Sequence, residues 1–109
     1  MKHEPLRLDM PIESMAQMVT DMLREALDTF VYRKPDLARE IVLRDKQVDQ
    51  LNKAIQAQMT ETMLKHPDHI VRSLHLMTIA KSMERIGDHA SNIAEQVVFL
   101  CEAEDIRHQ

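Results

Sequence analysis

The sequence predicts an all-α fold, an elongated antiparallel three-helix bundle. Apolar residues recur every three or four positions over long stretches, the spacing of one face of a helix. Prolines fall between these stretches and not inside them. The 109 residues include only one Gly and four Pro, too little turn material for a β-rich chain of hairpins. The expected organisation is a tail or linker over residues 1–11, the bundle over 12–103, and a short tail over 104–109.

The first helix is expected from about Ile12 to Val31, with Met15, Met18, Val19, Met22, Ala26 and Phe30 on its apolar face. "YRKPD" ends it. Pro35 then suits the first turn of a second helix, and Asp36 is favourable beside that helix's positive end. The second helix runs to about Lys65, with Ile41, Val48, Ile55, Met59 and Met63 facing inward. "KHPDH" repeats the stop-and-start signal at Pro67 and Asp68. The third helix continues to about Glu102. It carries Ala80, Met83, Gly87, Ala90, Ala94, Val97 and Cys101 at alternating spacings of three and four, beside a row of Ile79, Ile86, Ile93 and Leu100. That is the wide stripe of a bundle helix. At ~1.5 Å per residue the rods are roughly 30 to 50 Å long, and short connections fold them back on one another.

Composition narrows the function. The net charge of −4, the absence of a basic stripe and three aromatic residues in all argue against nucleic acid as a partner. Cys101 stands alone, so there is neither a disulfide framework nor a cysteine zinc site. No apolar run is long enough to span a bilayer and no signal peptide is evident, so a cytoplasmic protein without membrane insertion is expected.

The polar positions are less ordinary. On a helical wheel Glu84, Asp88, Ser91 and Glu95 fall within about 60° of one another, along the edge of the apolar face of the third helix. In the second helix Asp45 and Asp49 are also four apart, Asn52 and Gln56 continue their line, and Asp45 lies inside the apolar face. Like charges one turn apart are destabilising by a few tenths of a kcal/mol, and a carboxylate taken out of water needs a partner. Two answers are open: counter-ions such as Lys81 and Arg85, or a metal ion. Facing pairs of carboxylates would offer oxygen ligands suited to Mg, Ca, Mn or iron. Gly87 is expected to be a point of close packing, since Gly inside a helix costs about 1 kcal/mol relative to Ala. His89 points away from the acids, and nothing matches the Glu-x-x-His pattern of di-iron bundles. No nucleophilic constellation accompanies Cys101.

The segment "MERIGDHASNIAEQVVFL" closely resembles the characteristic Glu-Arg-x-Gly-Asp-His-x-x-Asn-Ile-x-Glu run of the PhoU family of phosphate-signalling regulators. "MLREALDTFV", "RDKQVDQLN" and "EDIRH" resemble that family's helices in the same order. The resemblance implies a three-helix repeat whose two (E/D)xxxD motifs bind a multinuclear metal site, iron or zinc among others. The motifs fall on Asp45 with Asp49 and on Glu84 with Asp88; Asn52, Asn92 and Glu95 are candidate additional ligands or supporting groups. It further implies a negative regulator, not an enzyme, linking a phosphate ABC transporter ATPase to a sensor histidine kinase. Family members usually carry two such repeats. This chain has one, resembling the C-terminal half, so it is expected either to be part of a longer protein or to pair with itself as a homodimer. The alternatives are a structural helical module with salt-bridged acids and, further off, a carboxylate-bundle metalloenzyme needing a general base.

Overall fold

A computed structural model describes residues 11–107. Most of the expected N-terminal tail, His3 included, lies outside the described residues, as do His108 and Gln109. Three helices, α1 (Pro11–Tyr32), α2 (Pro35–Lys65) and α3 (Ile70–Arg107), run up, down and up, with one 3₁₀ turn at Pro67–His69. The bundle measures 65 × 24 × 16 Å.

Pro11 belongs to the first turn of α1 and not to a tail, where its missing N–H leaves no intrahelical bond unmade. Ile12, Met15, Val19, Met22, Ala26 and Thr29 are its buried face. Thr29 replaces Phe30 there: its hydroxyl donates to the Ala26 carbonyl at 2.7 Å and so can be buried, while Phe30 is exposed. Met15 and Met22 are fully buried, unbranched side chains filling the core.

In α2 the buried positions are Ala38, Ile41, Val48, Ile55 and Met59. Continuing their three-four alternation, the two missing seam positions are 45 and 52. Asp45 and Asn52 occupy them.

In α3 the buried positions at intervals of seven are Ser73, Ala80, Gly87, Ala94 and Cys101, all small. They let α3 lie close to both neighbours. A Cβ at Gly87 would stand 3.2 Å from Val48 Cγ1 and 3.4 Å from Val19 Cγ1, so the glycine is a point where all three helices come close. The neighbouring row is less buried than its spacing suggests: Ile79 and Ile86 are exposed.

The corner between α1 and α2 turns on Arg33, at φ 54° in the left-handed region. Its side chain lies over the Phe30 ring, donates to the Phe30 carbonyl and bonds Glu104 at 3.0 Å. Arg39 reaches Glu102 at 3.7 Å. These contacts lie along the last turns of α3, which continues to Arg107, five residues beyond the expected end at Glu102. "AEDIR" contains no helix breaker, and Arg33 and Arg39 give Glu104 within it and Glu102 just before it partners.

Candidate metal centre

All four predicted carboxylates arrive at the same edge between α2 and α3. The contact that sets their level is Gly87 against Val48: it brings the turn holding Glu84 and Asp88 beside the turn holding Asp45 and Asp49. Asp45, Asp49 and Glu84 are partly buried and Asp88 is exposed.

Asp45 is the most perturbed of them. Its Oδ1 is buried without a hydrogen-bond partner. Burial comes first, followed by the neighbouring negative charges of Asp88, Asp49 and Glu84, and together they push its carboxyl up to about 6 from an ordinary 3.8. The causes are all of one sign. Among the described residues none of the four acids enters an ion pair; Lys81 and Arg85, the expected counter-ions, are exposed and pair with neither motif.

Two amides support the cluster from the side. Asn52 Nδ2 donates to Glu84 Oε2 at 2.9 Å. Gln56 Nε2 donates to Asn52 Oδ1 at 3.2 Å and to the Met77 carbonyl at 2.9 Å. The role of Gln56 as an anchor to α3 backbone was not readable from its place in the line of polar residues, because it depends on the rotation of one helix against the other.

The remaining candidates lie elsewhere. Asn92 is exposed on the rim of a groove of about 550 Å³ between α1 and α3, with Leu27 and Phe30. Glu95 is exposed in a second groove between α2 and α3, beside Arg39, Val42 and Phe99. Neither hydrogen-bonds to the four acids. His89 also lines the α1–α3 groove, away from the carboxylates. Cys101 is a buried free thiol of the small-residue seam.

The site is an approach of carboxylates and not a closed ligand set: no three His, Cys, Asp or Glu among the described residues are already gathered as a metal ion would hold them. The donor chemistry nonetheless fits a hard cation. It is all oxygen, it concentrates negative charge, and it includes one buried oxygen with no donor of its own.

A three-helix unit with a small-residue seam and paired acidic turns defines a class of helical bundle repeat. The chain belongs to the PhoU family, its residues 12–97 matching the PhoU domain. It is 38% identical over 97 residues to the phosphate-specific transport system accessory protein PhoU homolog of Pseudomonas aeruginosa, covering 89% of this chain and 40% of that protein. It is 34% identical over 96 residues to the Rhizobium meliloti homolog, covering 88% and 40% respectively. With Escherichia coli phosphate-specific transport system accessory protein PhoU it shares 34% identity over 107 residues, 98% of this chain and 44% of that one. The chain thus spans about two fifths of the length of these relatives.

Proposed function

We propose that this bundle is a metal-binding module of a phosphate-transport accessory protein, acting as a regulator and not as a catalyst. The observation that carries the metal site is Asp45: a carboxylate in a helix seam, one oxygen buried and unpartnered, with three more carboxylates acting on it and, among the described residues, no Lys or Arg in an ion pair with it. A divalent or trivalent cation such as Mg²⁺, Ca²⁺, Mn²⁺ or iron is the missing partner. Asp45, Asp49, Glu84 and Asp88 would hold it, and carboxylates that bridge would admit more than one ion. The cation would screen their repulsion and clamp α2 to α3. Zinc fits less well, because structural zinc sites draw on sulfur and nitrogen ligands.

The link to phosphate transport rests on the family and on the names of the relatives. The proposed role is repression of the phosphate-starvation response through contacts with a phosphate ABC transporter ATPase and a sensor histidine kinase on the cytoplasmic side. No helix among the described residues is long and apolar enough to cross a membrane, which is compatible with docking to such partners from outside the bilayer. The relatives' greater length is compatible with a second bundle, supplied by the same polypeptide or by another copy.

Elemental analysis of protein purified without chelator tests the metal site: bound metal is expected in the wild type and lost in Asp45→Asn/Asp88→Asn. Equal metal content in both proteins would refute these ligands. Co-purification of the metal-loaded protein with the transporter ATPase or the kinase tests the regulatory role, and failure with both would count against it.

A further inference from the structure

The directions of two side-chain amides on α2 are settled by what lies at each end of their chain. The Met77 carbonyl oxygen can only accept, so the Gln56 amide facing it at 2.9 Å must present its NH₂. That same nitrogen is 3.2 Å from Asn52, which must therefore turn its oxygen toward Gln56. The Asn52 NH₂ then faces the other way, onto Glu84 Oε2 at 2.9 Å, and an ionised carboxylate again can only accept. Turning Asn52 over would set nitrogen against nitrogen on one side and oxygen against oxygen on the other. Both amides are part-buried, so water does not readily substitute for either bond.

We propose that Gln56 is a positioning residue for the metal site: anchored on the α3 backbone, it holds Asn52 as a donor behind Glu84 and so orients the carboxylate that would hold the ion. This rests on the metal site proposed above. It takes Asn52 out of the set of candidate ligands, because its only lone-pair oxygen is directed at Gln56 and away from Glu84. It also fixes the Glu84 carboxylate, whose Oε2 accepts the Asn52 bond, in one orientation. The effect assigned to Gln56 is carried through the orientation of Asn52 and Glu84. Groups placed in this way behind metal ligands typically contribute 10–100-fold to affinity.

The test uses Mn²⁺ as the probe, titrated into chelator-treated wild type, Gln56→Met and Asp45→Asn/Asp88→Asn, with the Asn52 side-chain amide resonances followed in the metal-free proteins. Gln56→Met keeps the length of the side chain and removes its donor. The expected result is Mn²⁺ binding weakened by about 10-fold or more, with the Asn52 side-chain resonances displaced. Unfolding of each metal-free variant checks that the bundle persists. Wild-type affinity within twofold in Gln56→Met would overturn the positioning role and leave the metal site standing. Weakened binding with unmoved Asn52 resonances would overturn the route through Asn52. A wild type that binds no Mn²⁺, like the double aspartate variant, would overturn the metal site and the positioning role together.

Discussion

Arg44 and Asp45 are adjacent on α2, both partly buried, and they meet opposite fates. Arg44 turns toward α1 and finds Glu25, bonding both carboxylate oxygens at 2.6 and 3.0 Å. Each strengthens the other's charge: the hydrogen bond from Arg44 holds Glu25 below the usual carboxylate range, and the bond to Glu25 raises Arg44. Asp45 turns toward α3 and finds three acids and no donor for its buried oxygen. One side of the helix therefore balances its charge internally. The other side does not, although this sequence has no shortage of lysines and arginines nearby, and that contrast supports the proposed cation at the α2–α3 edge.

The contrast is broken most severely by supplying or removing the cation. A ligand at 100 times its dissociation constant stabilises a fold by about 2.7 kcal/mol, roughly 10 to 20 °C in melting temperature for a domain of this size. A shift of that order is expected when Mn²⁺ is added to chelator-treated protein, and none in Asp45→Asn/Asp88→Asn. An equal shift in the variant would place the ion elsewhere.

A smaller effect appears in the pH dependence of the metal-free protein. The Asp45 carboxyl is raised in the folded state, so the folded form holds its proton more tightly than the unfolded chain does. The stability this contributes is fully present below about 3.8 and is lost as pH rises through about 6. Asp45→Asn should therefore gain on wild type between those values and hold a constant advantage above them, as read from urea midpoints with chelator present. Glu25 behaves in the opposite sense: its lowered pKa contributes stability above the ordinary carboxylate value that disappears as pH falls through its folded value. A flat difference between wild type and Asp45→Asn would mean that the acids do not repel as their placement requires.

The smallest effect belongs to the satisfied side. Glu25 is 42% exposed at its side chain, so Arg44→Met should lower stability by about 1 kcal/mol or less. It should leave the Mn²⁺ shift intact. A lost shift in Arg44→Met would couple two faces of α2 that the structure keeps apart.

Much of this was legible beforehand because bundle helices announce themselves by period. The spacing of three and four located all three helices, and the pairs at 45/49 and 84/88 fell on edges that face each other once the chain folds back. What periodicity does not carry is the rotation between helices. It left Lys81 and Arg85 as credible counter-ions and hid the Arg44–Glu25 pair. The end of α3 was missed for a different reason: its last turns are not demanded by an apolar face, and their acids Glu102 and Glu104 pair with Arg39 and Arg33 from distant parts of the chain.

The contact at Gly87 has a consequence for ion size. A methyl group there would meet Val48 at 3.2 Å, and a contact that tight is relieved by a displacement of a few tenths of an ångström. The better helix propensity of Ala would offset part of the strain, so the fold should tolerate the change. Yet a few tenths of an ångström is also the difference between Mg–O distances of about 2.0–2.1 Å and Ca–O distances of about 2.3–2.6 Å. Because Val48 lies between Asp45 and Asp49 in α2, and Gly87 between Glu84 and Asp88 in α3, the gap they close is the gap an ion must span. Gly87→Ala should then shift relative affinity from Mg²⁺ toward Ca²⁺ in competition titrations; an unchanged ratio would mean that side-chain freedom absorbs the step. In the proposed site the chain's single glycine would act as the gauge, selecting radius in the way that charge selects sign.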